Sequence, residues 1–182
     1  MEKKLVIVFG SSRTKDAQHL DNAYRLGKML AEAGYIVGSG GYAAVMEAVS
    51  RGAAEAGGYV IGYTTDEFPE AIPNRWLSEE RRTDDLHLRM RRMIEEGDAF
   101  IATWGGIGTL AEVVLTWNVA QVAPYRGRPI KPLYLVGEHW EPIVETLGRY
   151  SEMGSGVRAY PTLVPTVEAA VATLKGHFAV VP

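Results

Sequence analysis

The sequence predicts an α/β fold: a doubly wound, Rossmann-like parallel sheet with helices on both faces, in a single domain over residues 1–182. Three observations carry that reading. Short apolar runs alternate with segments of helical period. The runs are continuously apolar rather than alternating, as strands covered on both faces require. Small-residue turns follow three of the runs, as in sheets that bind ligands at the carboxyl ends of their strands.

The elements follow in order. Leu5–Phe9 is a β-branched run ending at Gly10, and reads as a buried strand. Ala17–Ala33 reads as a helix, with Leu20, Ala23, Gly27, Leu30 and Ala31 on one face and Gly34 as its stop. Tyr35–Val37 is a second strand, bounded by Gly38, and Ala43–Ala56 a second helix, stopped by Gly57-Gly58. Tyr59–Tyr63 is a third strand. Thr64 to about Asp85 reads as irregular, with its charge-dense end, Glu79–Asp85, as a solvated loop placed to act as a lid. A helix runs from Leu86 to Glu96. Ala99–Thr103 is a fourth strand and Thr109–Val122 a helix. Pro132–Val136, Trp140–Tyr150, Thr162–Val164 and Val167–Leu174 complete the alternation as strand, helix, strand and helix.

Composition narrows the function classes. Glycine supplies 20 of 182 residues, above the average usage of roughly 7%. There is no cysteine, so disulfides, thiolate metal sites and a cysteine nucleophile are excluded. A net charge of -3 argues against a nucleic-acid binder, which carries a basic excess. The first apolar run is too short for a secretory signal or a membrane span. These features predict a cytoplasmic protein with no membrane and no nucleic-acid partner. His19, His87, His139 and His177 lack metal-ligand spacing, so no metal is expected, and no cofactor.

Three turns are predicted to converge on one sheet edge: Gly10-Ser11-Ser12, Gly38-Ser39-Gly40-Gly41 and Trp104-Gly105-Gly106-Ile107-Gly108-Thr109. Helix N-termini present unpaired N–H groups and the positive end of the dipole. Glycines let an anion approach the backbone. A phosphate is the natural occupant; tight strand-helix connections are the plainer explanation of any one turn. Neither the dinucleotide fingerprint nor the Walker A lysine pattern is present.

Gly105-Gly106-Ile107-Gly108-Thr109-Leu110-Ala111-Glu112 resembles the GGxGTxxE signature of the Lonely Guy family, long labelled possible lysine decarboxylases. Further stretches match in order: Val8-Phe9-Gly10-Ser11-Ser12, then Ser39-Gly40-Gly41 through Val45-Met46-Glu47-Ala48-Val49, then Arg89 with Met93, and Leu115-Thr116-Trp117 with Gln121. The resemblance spans roughly residues 4–150. It implies hydrolysis of the N-glycosidic bond of a nucleoside 5′-monophosphate, a cytokinin nucleotide in plants and some bacteria. It implies Arg89 and Glu112 as catalytic, the glycine-threonine loop as phosphate-binding, and a homodimer or larger homo-oligomer. Three positions depart from the pattern: Trp104 replaces a proline, Met90 a lysine and Ala44 a glycine.

The candidate residues divide by role. Gly10, Ser11, Ser12, Gly40, Gly41, Gly105, Gly106, Gly108 and Thr109 are the phosphate candidates. Trp104, Met90 and Glu47 are candidates for the base or ribose. Trp104 either stacks on a base or covers the sheet edge, and Glu47 either faces the cleft or flanks its helix. Arg89 flanks an apolar stripe of Leu86, Met90, Met93 and Ile94, where a guanidinium either offers a donor fork or snorkels to solvent. Thr109-Leu110-Ala111-Glu112 also reads as a capping box, which puts Glu112 in a first helical turn and favours its ionised form. Trp117 and Val114 read as core, or as a subunit interface if relatives are a guide. No lysine lies in the glycine turns, which leaves pyridoxal-dependent decarboxylation without an anchor. A nucleotide sensor or carrier using the same cleft is the alternative to a hydrolase.

Overall fold

A computed structural model describes residues 3–180. Its elements are β1 (Leu5–Phe9), α1 (Ala17–Glu32), β2 (Ile36–Ser39), α2 (Val45–Glu55), β3 (Val60–Thr65), β4 (Glu79–Thr83), α3 (Leu86–Glu96), β5 (Ala99–Ala102), α4 (Ile107–Val122), β6 (Leu133–Val136), α5 (Trp140–Tyr150), α6 (Ser155–Arg158), β7 (Thr162–Val164) and α7 (Val167–Val180). The seven strands form one sheet in the order β4-β3-β2-β1-β5-β6-β7, and every pairing is parallel. The predicted doubly wound α/β architecture is present.

Helices cover both faces because each strand buries both of its own. On one face Val6, Val8 and Val37 pack against Leu26 and Leu30 of α1, Val49 and Ala53 of α2, and Val171 and Leu174 of α7. On the other, Ile7, Phe9, Phe100 and Leu135 pack against Met93 and Ile94 of α3, Val113 of α4 and Trp140 of α5. Strand order reverses between β1 and β5, which pair directly with a register of Val6 to Ala99. The chain leaves β1 for one face and β5 for the other, so a crevice opens above their carboxyl ends. Among the described residues no helix is long and apolar enough to cross a membrane.

The largest correction falls on Glu79–Asp85. Residues 79–83 are not a solvated loop or lid but an edge strand, paired from Ile61–Glu79 to Thr65–Thr83. Charge marks this strand because it is an edge, where charged side chains deter further pairing. The charges are neutralised locally. Arg81 pairs with Glu79 and Glu96, and Arg82 with Asp66. Three boundaries also move. β2 runs to Ser39, so Gly38 lies inside the strand, where Ile7 leaves no room for a side chain. The last helix continues past Leu174 to Val180, and Phe178 packs on the core beside Tyr35. The α4 helix begins at Ile107 rather than Thr109.

Ala44, at the N-terminus of α2, holds φ 54° and ψ -118°. It is the one non-glycine residue with positive φ among those described. Such a conformation costs a residue with a Cβ roughly 1–3 kcal/mol. Ala44→Gly is therefore expected to stabilise the protein by about 1 kcal/mol, after the entropy glycine loses on folding. Urea unfolding of the two proteins measures this. An unchanged or lower midpoint for the glycine variant contradicts it.

Candidate functional site

The crevice is floored by the ends of β2, β1 and β5. Its loops are tied together by backbone bonds: Ser11 N–H donates to the Trp104 carbonyl at 3.0 Å, and Val45 N–H to the Ser11 carbonyl at 3.0 Å. The Ser11 hydroxyl oxygen accepts from the N–H groups of Arg13 and Thr14 at 3.1 and 3.0 Å. Gly10 is pressed between Val45 and Thr103. Gly10 and Ser11 thus build the turn itself, while Ser12 is exposed beside it.

The N-terminus of α4 is different. Its N-cap, Gly106, has extended backbone and offers no side-chain cap. The first helical bond runs from Leu110 N–H to the Gly106 carbonyl at 3.0 Å. The N–H groups of Ile107, Gly108 and Thr109 therefore have no partner among the described residues. Gly106 and Gly108 face open space. Thr109 is buried, and its side chain lies on Gly105 so closely that a Cβ there would overlap it. The capping box read from the sequence is thus absent. Glycine's freedom starts the helix two residues early, and Thr109 sits inside its first turn.

That shift carries Glu112 into the second turn, where its side chain is 13% exposed. Burial pushes its carboxyl up to about 7, and the nearby Arg89 charge only partly opposes this. The carboxyl therefore holds its proton to higher pH than the readily ionised carboxylate expected at a helix terminus. Desolvation outweighs the dipole because the group is inside the protein and one turn too late.

Arg89 faces it. The guanidinium does not snorkel; the residue is 5% exposed. Asp85 starts α3 by accepting from Leu88 N–H at 2.7 Å, which places Arg89 in the first turn, under the ends of β2 and β3. Arg89 Nε donates to the Tyr63 carbonyl at 2.6 Å and Nη2 to the Gly40 carbonyl at 3.1 Å. The remaining nitrogen, Nη1, stands 4.0 Å from Glu112 Oε1. Burial pulls the guanidinium below its ordinary value, and Glu112 counters it. Gly40 is required here, since any Cβ would run into Nη2 of Arg89 and Sδ of Met46. Gly41 holds φ 78° and closes the turn.

Several supporting residues carried no sequence signal. The Tyr42 ring lies 5.7 Å from the Arg89 guanidinium carbon, and its hydroxyl accepts from Thr65 N–H at 2.9 Å. Asn74 Nδ2 donates to the carbonyls of Gly41 and Tyr42, both at 3.1 Å. An asparagine after Pro73 in an irregular stretch was the only available hint. Trp104 stacks on His19 with ring centroids 4.7 Å apart and meets His139 edge-on at 4.7 Å. One indole face is thereby engaged by protein, although the residue stays 42% exposed.

The other tentative positions lie elsewhere. Met90 packs against the core between α3 and the sheet. Glu47 is exposed in a groove between α1 and α2 with Leu20, Asp21, Tyr24 and Arg51. The structure thus brings together Arg89, Glu112 and Gly40, and lays the open Gly106–Thr109 terminus on the same helix as Glu112.

Residues 3–123 match the family model described as the SLOG cluster4 family. The chain is 37% identical over 119 residues to the probable cytokinin riboside 5′-monophosphate phosphoribohydrolase LOGL5 of Oryza sativa subsp. japonica, covering 63% of this chain and 48% of that one. It spans about half the length of such curated relatives. The fold is shared with the structural-genomics target TM1055, at 27% identity over 95% of this chain and 99% of the other, with a TM-score of 0.75. It is shared also with a molybdenum cofactor binding protein from Rippkaea orientalis, at 23% identity over 98% and 99%, with a TM-score of 0.79.

Proposed function

The chain belongs to the SLOG cluster4 family, among proteins of the Lonely Guy type, and on that premise we propose that it hydrolyses a nucleoside 5′-monophosphate to free base and ribose 5-phosphate. The observation that carries this reading is the buried Arg89–Glu112 pair beside an uncapped helix N-terminus. The three unpartnered N–H groups at Ile107–Thr109 supply a phosphate site, aided by the helix dipole. Arg89 Nη1, the nitrogen not held by a carbonyl, is free to donate to a ribose hydroxyl. Glu112, with its carboxyl near 7, is suited to accept a proton from water at neutral pH. In the reaction the C1′–N bond breaks and the water oxygen joins C1′. The water proton passes to Glu112. The base departs with the bonding electrons and takes a proton from solvent. Trp104 offers its exposed face to the base.

The test is direct. The protein is incubated with AMP, GMP, CMP and UMP, and free base and ribose 5-phosphate are measured. Release from at least one nucleotide is expected; no release from any counts against hydrolysis. A carrier or sensor is the second reading. It is favoured by the near full-length fold match to a protein whose name gives binding and no reaction. A nucleotide that binds tightly and is recovered intact selects it.

A second copy of the chain is the proposed partner. Ile107, Val114 and Val122 form an exposed stripe along α4 that Tyr125 continues, at the spacing of one helix face. Val114→Glu is expected to convert a dimer to monomers in sedimentation. A wild-type protein that sediments as a monomer removes the proposal.

A further inference from the structure

A second cavity lies at the opposite end of the sheet from the crevice, below the start of β6. Its volume is about 510 Å³, within the range of small-molecule sites. Ile94 of α3, Phe100 of β5 and Val119 and Ala120 of α4 give it an apolar lining. Its polar groups are unbalanced. Arg91, Arg128 and Lys131 line it against a single carboxylate, Glu95, and Arg91 already pairs with that carboxylate at 3.0 Å. Arg128 has no ion pair among the described residues. Lys131 Nζ donates to the Ile94 and Glu95 carbonyls at 3.0 and 2.7 Å, with no carboxylate on it. Burial pulls its amine down; the nearby Asp98 and Glu95 carboxylates oppose this and the Arg128 charge adds to it. Tyr160 closes one side, its hydroxyl donating to the Lys131 carbonyl at 2.6 Å.

An apolar cavity with surplus positive charge calls for a ligand with an apolar body and a negative end. We propose that this cavity is a binding site for a small aromatic carboxylate, with its ring against Phe100, Val119 and Ala120 and its carboxylate toward Arg128 and Lys131. The Arg128 guanidinium offers a fork that matches a carboxylate. The site stands on the two helices that carry Arg89 and Glu112. Thr116, which also lines it, donates its hydroxyl to the Glu112 carbonyl at 2.7 Å. Occupancy of this cavity does not depend on the hydrolase reading, because nothing in the crevice takes part in it.

The experiment is calorimetric titration of the whole protein with 2-naphthoate and, separately, with neutral 2-naphthamide. One naphthoate is expected per chain, with the amide at least about tenfold weaker, as loss of one charged contact implies. Arg128→Glu, at an exposed loop position, is expected to weaken naphthoate by tenfold or more. Val119→Trp, which fills the cavity from the half-exposed side of α4, is expected to abolish binding without loss of helical signal. Absent binding to wild type, equal binding of the amide, or unchanged affinity in Arg128→Glu overturns the assignment. The AMP assay is run on the same samples, so failure of one reading is seen apart from failure of the other.

Discussion

Glu112→Gln is expected to lower base release on the order of a thousandfold, within the range for losing a positioned acid-base group. The amide keeps the shape of the side chain, and the open N-terminus at Ile107–Thr109, the proposed phosphate site, is untouched, so nucleotide binding is expected to persist. The wild-type rate is expected to rise with pH through a midpoint at about 7, the value to which burial pushes this carboxyl, as the base form fills. A flat or falling rate between pH 6 and 8 contradicts the assigned role. The same group leaves a signature in stability that does not depend on catalysis. Its folded-state value lies above its ordinary 4.5, so folding takes up a proton between those limits. The penalty is absent below about pH 4.5, grows as pH rises and is complete above about 7. The full penalty is about 3 kcal/mol. Glutamine at this position carries none of it. The stability of Glu112→Gln minus that of wild type should therefore increase by about that amount from pH 4 to pH 8. Urea unfolding at the two pH values measures the difference. A constant difference shows that the carboxyl is not buried as described.

The fold was legible because its strands are buried on both faces. Leu5–Phe9 and Ala99–Ala102 are apolar throughout, a pattern that parallel sheets require. The β4 strand was not legible for the opposite reason. It is an edge whose charged side chains alternate between exposed and partly buried positions, so its apolar signal is nearly absent. Site residues divide in the same way. Arg89 and Glu112 are legible through the resemblance, and the glycine turns through their position after strands. What the sequence could not supply was depth. A capping-box pattern with Thr109 as N-cap and a helix capped at Gly106 share the same letters; which one forms depends on Gly106 entering the helix with extended backbone. That choice moves Glu112 from the first turn into the second, and with it the direction in which its carboxyl shifts. Trp104 is a similar case, since its stacking partner His19 is 85 positions away in sequence and no local pattern joins the two.

Arg89→Met is expected to be the most damaging single substitution in the site. Methionine fits the apolar surroundings of α3 but removes every donor of the guanidinium. The Tyr63 and Gly40 carbonyls lose hydrogen bonds of 2.6 and 3.1 Å inside the protein, and Glu112 loses the cation that opposes its desolvation. Breaking a buried charged arrangement from one side costs roughly 3–5 kcal/mol, a large part of the total stability of a domain this size. Arg89→Lys separates the two roles. Lysine restores a positive charge near Glu112 but has one nitrogen, so it cannot hold both carbonyls and still reach the carboxylate. It is expected to recover part of the stability and little of the turnover. The sign of the change at Glu112 is a further check. Without the guanidinium its carboxyl must titrate higher than in wild type, so the pH midpoint of any residual rate moves above 7 in Arg89→Met. The lysine variant is expected to return it toward the wild-type value. If Arg89→Met unfolds at the wild-type urea concentration, the two carbonyl bonds do not hold the ends of β2 and β3 together. If it is destabilised but leaves the midpoint unmoved, Arg89 and Glu112 are not electrostatically coupled, and the proposed division of labour between them fails.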